Sequence, residues 1–364
     1  MPHMFDFDIN LGNTCNLRCK YCFESIDAFR TGHMKDDVFE KTKDFLDAVL
    51  ENNPHDLVKL HFWGGEPFLH YKMMKKFMDA YNDNGRVLFM IFTNGCEIEK
   101  YIDDLEKYKK KLDIQVSYDF EPGNSINRLD TAGRNVSEKV RSNIKLLDER
   151  NFQYCIKSTV FLNDMEKYLF DMYKDYWNFK KEIRSKTVNF ALTPDTRSWE
   201  NWILDYSKIE NQLEQLVKFF AENKIYHTGF FWFDYPEKGK ALCNSAKHGA
   251  MIDIDGKLYP CHGCSFMDST YKSNFCYLDL MQKEKDDAYK KFISYVRDFD
   301  ITEPKKCLDC DVTLCFKCSA HNAIGGSKTL DSWNDPNPDY VCRLYRVISK
   351  YVWAYQILRQ RDFG

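Results

Sequence analysis

No stretch of 18 consecutive apolar residues occurs in the chain, so a membrane-spanning helix is not expected. The opening residues, Met1-Pro2-His3-Met4-Phe5-Asp6, lack a basic segment followed by an apolar one, which argues against a signal peptide. Excess charge of one sign is missing too. Lys and Arg number 52 against 55 Asp and Glu, for a formal net charge of −3. Neither a nucleic-acid surface nor an anionic-membrane surface is implied. No internal repeat or low-complexity tract interrupts the chain. What is present is a globular composition, 44% hydrophobic and 29% charged. Its 364 residues suffice for one large domain and a smaller one.

Cysteine is abundant, with 14 copies, most of them clustered at positions 15–22 and 307–318. Close clustering favours metal ligation over disulfides, and thiolate ligation needs a reducing, oxygen-poor, cytoplasmic setting. Cys15, Cys19 and Cys22 form C-x3-C-x2-C. That is too tight for a disulfide framework and one ligand short of a closed zinc site. It suits three corners of a cubane iron–sulfur cluster whose fourth iron lacks a protein thiolate. A zinc knuckle or scattered buried thiols is the bland alternative. Later, Cys307, Cys310, Cys315 and Cys318 form C-x2-C-x4-C-x2-C. A zinc ribbon needs about 15 to 20 residues between its pairs, so this spacing also favours cubane ligation.

Hydrophobic periodicity predicts strands over 5–11, 57–62, 87–92, 112–118, 152–161 and 187–192. It predicts helices over 36–50, 71–81, 98–108, 136–147, 164–177 and 206–220. Strands alternating with helices of about a dozen residues imply right-handed βαβ units and a parallel sheet. Six units suggest an α/β fold built as a partial barrel, with chemistry at the carboxyl ends of the strands. The cysteine loop, Gly64-Gly65-Glu66-Pro67, Thr93-Asn94-Gly95 and Ser117-x-Asp119 each follow a predicted strand end. Beyond about residue 225 the pattern changes. Phe230–Phe233 reads as core or interface. A hairpin over 251–259 turns at Asp255-Gly256, a type I′ signal. Residues 279–299 and 340–358 read as helices, the latter packing back on the barrel. The expected division is 1–225 and 226–364.

The cysteine loop, with Tyr21 just before its third cysteine, resembles the cluster-binding signature of the radical S-adenosylmethionine (SAM) enzymes. The resemblance implies a partial (β/α)6 TIM-like barrel. It also implies a 4Fe-4S cluster whose open iron takes the amino and carboxylate groups of SAM. Reductive cleavage then releases a 5′-deoxyadenosyl radical. Tyr21 would lie near the adenine. Gly64, Gly65 and Glu66 resemble the motif for the SAM amino group, with glycine permitting close backbone approach. Thr93 and Asn94 would line the SAM cavity. Ser117 and Asp119 would hydrogen-bond the ribose or carboxylate, and Arg128 would lie near the carboxylate. Asn163 could reach the adenine region, although helix capping explains it equally.

The later cysteines resemble a SPASM extension, which usually carries two auxiliary clusters, three 4Fe-4S clusters in all. Gly256-x4-Cys261 matches its hairpin element. By position, the first auxiliary cluster would use Cys243, Cys261 and Cys318, with Cys264 favoured as fourth ligand over Cys276 or an open iron. The second would use Cys307, Cys310, Cys315 and Cys342. The four-cysteine run is slightly shorter than the usual pattern. Cys96 and Cys155 fall outside it and read as buried thiols. In sulfatase-maturing relatives an aspartate after the hairpin cysteine is the catalytic base. His262 stands there instead and can accept a proton near neutral pH, a departure that weighs against sulfatase maturation itself.

The implied function is peptide modification: hydrogen abstraction from an unactivated carbon of a ribosomally made peptide, forming a cross-link. Side-chain oxidation of a protein, or radical chemistry on a small metabolite, are the alternatives. Expected partners are a peptide or protein substrate and an electron donor such as flavodoxin or ferredoxin. The first strand begins at about residue 5, leaving no room upstream for a winged-helix leader-binding domain. Leader recognition would then fall to another protein or to the barrel surface.

Overall fold

The computed structural model describes residues 2–22, 31–184, 187–193, 203–234, 247–266, 269–299, 304–310, 312, 315, 334 and 338–363. Six parallel strands, β1 (Met4–Asn10), β2 (Leu57–Trp63), β3 (Val87–Thr93), β4 (Leu112–Ser117), β5 (Gln153–Phe161) and β6 (Val188–Thr193), pair in chain order. Helices α1 (Asp36–Asn52), α2 (Tyr71–Tyr81), α3 (Ile98–Leu105), α4 (Gly123–Asn127), α5 (Ser137–Glu149), α6 (Leu162–Phe179) and α7 (Tyr206–Glu222) follow them. The sheet does not close. This is the partial barrel expected from the alternation. The predicted elements lie within a few residues of the observed ones, with three exceptions: 106–111 tightens into a 3-10 helix, the polar loop after β4 hides α4, and the helix expected over 279–299 begins only at Lys285, after a short strand and a 3-10 turn.

Each strand buries alternate residues against the helices: Phe5, Phe7 and Ile9 in β1, and Val58, Leu60 and Phe62 in β2. The intervening positions face the concave side. That side is unusually polar. It carries Asp6, Asp8 and Asn10 of β1, Lys59 and His61 of β2, and Lys157 of β5.

Described residues past 225 extend the same sheet. Gly249–Ile252 forms β7, which pairs in parallel with β1 on the side away from β2. β8 (Lys257–Tyr259) and β9 (Leu278–Asp279) continue outward antiparallel. The nine-stranded order is β6-β5-β4-β3-β2-β1-β7-β8-β9. Gly249 is required at this seam, because a Cβ there would lie 1.5 Å from the Asp6 carbonyl oxygen. The hairpin exists, but its turn differs from expectation. Residues 253–256 form the connection, Asp253 N–H donates to Lys257 O, and only Gly256 has positive φ (+78°). A type I′ turn needs positive φ at two positions, and Asp255 does not supply one.

Helix Lys285–Asp298 packs on α1, with Phe292 fully buried among Phe5, Phe7 and Phe45 at ring distances of 5.3–6.0 Å. The C-terminal helix Asp339–Phe363 packs on α7, as the amphipathic pattern predicts. Tyr206 donates to Tyr340 O at 3.1 Å, and Tyr355 donates to Ile225 O. Phe230, Trp232 and Phe233 are core residues. No described helix is long and apolar enough to cross a membrane.

Candidate active site

The cysteine loop leaves β1 at the carboxyl edge of the sheet and is fixed on two sides. Gly65 N–H donates to Gly12 O and Glu66 N–H to Thr14 O, both at 2.9 Å. A Cβ at Gly64 would meet Gly12 O at 2.3 Å, and one at Gly65 would meet Thr14 O at 2.2 Å. The glycines therefore admit the cysteine loop itself. On the other side Arg18 N–H donates to Leu129 O (2.7 Å) and Lys20 N–H to Asn127 O (2.9 Å).

Glu66 is buried where β2 and β3 end. Its carboxylate accepts from Phe68 N–H (3.2 Å), Thr93 Oγ1 (2.7 Å) and Asn94 N–H (2.8 Å). Burial pushes its pKa up to about 7, against the pull of those three donors. Asn94 also donates to Asn16 Oδ1 at 2.7 Å and reaches Cys15 Sγ at 3.8 Å. Thr93 and Asn94 thus hold Glu66 and the cysteine loop.

A second buried network joins the loop to β4. Tyr21 donates to Asp119 Oδ2, and Arg128 Nη1 donates to the Tyr21 hydroxyl at 2.7 Å. Asp119 Oδ1 also accepts from Thr159 N–H of β5 at 2.8 Å. Three residues expected around SAM thus form one cluster. Ser117 lies in register with Lys157 across the β4–β5 ladder. The side chain of Asn163 lies outside the described residues.

Burial pushes the Cys15 thiol up to about 12, reinforced by Glu66, Cys19 and Cys22 nearby. Metal ligation would reverse that shift by deprotonating the thiol. Among the described residues no three His, Cys, Asp or Glu side chains are drawn together tightly enough to hold a metal ion. The donor chemistry fits an iron–sulfur cluster: three cysteines on one anchored loop, with the buried Arg128 cation interacting with Cys19. Among the described residues Trp63 Nε1 and Asn127 Oδ1 are buried without a hydrogen-bond partner, which leaves polar atoms for a bound group.

Residues 9–175, from β1 into α6, match the radical SAM superfamily. The chain carries a radical SAM domain. It is 24% identical over 280 residues to the radical SAM cyclopropyl synthase TigE of Paramaledivibacter caminithermalis, covering 70% of this chain and 57% of that protein. The chain therefore spans little over half the length of that relative. It is 27% identical to a cysteine-type anaerobic sulfatase-maturating enzyme of Clostridium novyi, covering 68% of this chain and 71% of that one. Native anSMEcpe with bound AdoMet and Cp18Cys peptide has a similar fold, with TM-score 0.73, 20% identity and 100% of each chain covered. Streptococcus suis SuiB bound to precursor peptide SuiA has TM-score 0.61 and 16% identity, covering 92% of this chain and 77% of that chain.

Beside this radical SAM domain the hairpin brings in His262. Its Nδ1 lies 2.9 Å from Asp8 Oδ2, while Asp8 Oδ1 lies 3.0 Å from His61 Nδ1. The Trp63 ring meets His262 edge-on at 5.6 Å. Burial alone would raise the Asp8 carboxyl, but hydrogen bonds from His262 and His61 outweigh it and hold Asp8 well below the usual carboxylate range. Asp8 and His61 were not singled out from the sequence. The signal was available in the polar alternate positions of β1 and β2.

Cys264 is fully buried, and Cys261 and Cys276 are half-buried. All three lie around Tyr277 and Tyr295, whose rings stack at 3.6 Å. Cys342 interacts electrostatically with Cys307 and Cys310, so the C-terminal helix brings a distant cysteine to the four-cysteine run. Cys315 is half-buried against the core. Cys243 and Cys318 lie outside the described residues. Cys96 is buried, as expected. Cys155 is only half-buried, because it sits on the concave face of β5 rather than in the apolar layer.

Proposed function

We propose that the chain is a peptide-modifying radical SAM enzyme that abstracts hydrogen from an unactivated carbon of a ribosomally made peptide and forms a cross-link. The observation that carries this is the joining of the cysteine loop to Glu66 on one side and to Tyr21, Asp119 and Arg128 on the other. When bound, the cluster and SAM supply a 5′-deoxyadenosyl radical. The protein binds, orients and excludes water. Cys15, Cys19 and Cys22 hold the cluster. Glu66 would offer a carboxylate to the SAM ammonium, and Ser117, Asp119 and Arg128 would serve its ribose or carboxylate. Cys243, Cys261, Cys264 and Cys318 hold one auxiliary 4Fe-4S cluster, and Cys307, Cys310, Cys315 and Cys342 the other. As the new bond forms, the substrate radical loses a proton, which His262, oriented by Asp8, would take, and one electron, which an auxiliary cluster would accept. Residues 1–225 and 226–364 serve as barrel and auxiliary-cluster unit. Thiolate-held clusters would suit a reducing cytoplasm.

Similarity to the radical SAM cyclopropyl synthase TigE, and a fold shared with SuiB bound to its precursor peptide SuiA, support the reading. Side-chain oxidation is the second reading, favoured by 22% identity to a serine-type anaerobic sulfatase-maturating enzyme of Bacteroides thetaiotaomicron over 97% of this chain.

The test is anaerobic reconstitution with dithionite and SAM, scoring 5′-deoxyadenosine, followed by incubation with peptides encoded beside the gene. Cross-linking removes two hydrogens and leaves no aldehyde for hydroxylamine to trap. An aldehyde product would select the second reading, and absence of 5′-deoxyadenosine would sink both.

A further inference from the structure

A groove of about 1070 Å³ opens on the outer, helical side of the cysteine loop, away from the polar concave face. Its floor is aromatic: Tyr71 and Tyr101 stack at 4.1 Å, backed from the core by Phe68, which lies parallel to Tyr101 at 5.5 Å. Its wall touches the cysteine loop where His70 Nε2 lies 2.8 Å from Thr14 Oγ1. Thr14 is exposed and covalently precedes Cys15. Gly12 is what lets His70 in, since a Cβ there would lie 2.3 Å from the imidazole.

Three lysines, Lys35, Lys72 and Lys76, line the rim against one lining acid, Asp36, while Asp104 lies near Tyr71 beneath it. Asp36 is paired with Lys76 at 2.7 Å. Lys35 and Lys72 are exposed and have no ion pair among the described residues. Leu69, 44% exposed, adds an apolar contact beside them. The chain as a whole carries a net charge of −3, so this patch runs against the overall sign.

We propose that this groove docks a small acidic electron-carrier protein, which delivers its electron to the cysteine loop along His70, Thr14 and Cys15. The proposal rests on the proposed radical SAM function, in which a cluster on Cys15, Cys19 and Cys22 is the electron's destination. One electron leaves the reduced carrier and enters that cluster, and no proton or group moves with it. Charge complementarity selects an acidic partner and speeds encounter, while the aromatic floor and Leu69 provide the apolar contact. The two sides of the loop divide the work. A peptide must touch the site from the concave side, whereas an electron can be handed over from the outer wall.

The experiment uses anaerobically reconstituted holoenzyme with reduced bacterial flavodoxin as probe. Affinity is measured by titration at several ionic strengths, and 5′-deoxyadenosine formation is driven by flavodoxin or, separately, by dithionite. The double variant Lys35→Glu, Lys72→Glu is expected to weaken flavodoxin binding about tenfold or more at low salt. The flavodoxin-driven rate should fall in parallel while the dithionite-driven rate holds. Lys35→Arg, Lys72→Arg should restore both binding and rate. Unchanged affinity in the glutamate variant, or wild-type binding that ignores ionic strength, would overturn the proposal. Failure of the wild type to cleave SAM with dithionite would instead strike the proposed function, and the binding titration is read independently of it.

Discussion

Glu66 accepts donors from Phe68, Thr93 and Asn94 while burial raises its pKa from 4.5 to about 7. The unfolded chain ionises above 4.5, whereas the folded protein holds the proton until about 7. Stability of the metal-free protein should therefore be full below 4.5, fall as pH rises to about 7, and level off beyond. The size is about 3 kcal/mol at 1.36 kcal/mol per unit. Urea melts across that window should show the slope, and Glu66→Gln should flatten it. Tyr21→Phe removes the hydroxyl between Asp119 and Arg128, leaving buried polar groups short of a partner. It should cost about 1–3 kcal/mol in thermal or urea unfolding. At this scale the sequence was partly legible. Glu66, Tyr21, Asp119 and Arg128 were visible as chemistry-bearing positions. Their mutual bonding was not, because Tyr21 and Asp119 lie 98 residues apart in the chain. Asp8 and His61 stayed hidden because alternation separates two faces of a strand without saying which polar face lines a barrel.

Among elements, the turn after β2 is fitted to the cysteine loop more than to any ligand. Gly65→Ala would place a Cβ 2.2 Å from Thr14 O, and Gly64 sits at φ +136°, where a side chain is strained. Either alanine should cost the cysteine loop its iron while leaving far-ultraviolet circular dichroism near wild type. Iron and sulfide counting on Gly65→Ala should show about one cluster fewer than wild type. The alternation of strands and helices was readable because six strands each bury one apolar side. The hairpin turn was misread because Asp-Gly is compatible with several connections. β7 ends at Ile252 and β8 begins at Lys257, which leaves four residues to turn rather than two.

For the whole molecule, β1 is an interior strand, flanked by β2 and β7. Four residues from the far half of the chain complete it, something no periodicity argument could place, since such pairings are long-range. Phe292 reinforces the same junction from the helical side, and Phe292→Ala should cost about 3–5 kcal/mol in urea unfolding. A chain ended at residue 225 would bare the β7-facing edge of β1 and the apolar surface under helix Lys285–Asp298. It should aggregate on expression, whereas a barrel that folded without its C-terminal half would stay monodisperse in size-exclusion chromatography.

That junction also sets terms for engineering. Because Asp6 and Gly249 share a site with no room for a methyl group, a foreign cysteine-rich half cannot simply be grafted after α7. Any exchange must keep the native segment through Ile252, or import a donor whose entering strand already begins with glycine. Recombination among relatives should therefore succeed at crossovers beyond that point and fail at those between α7 and Gly249.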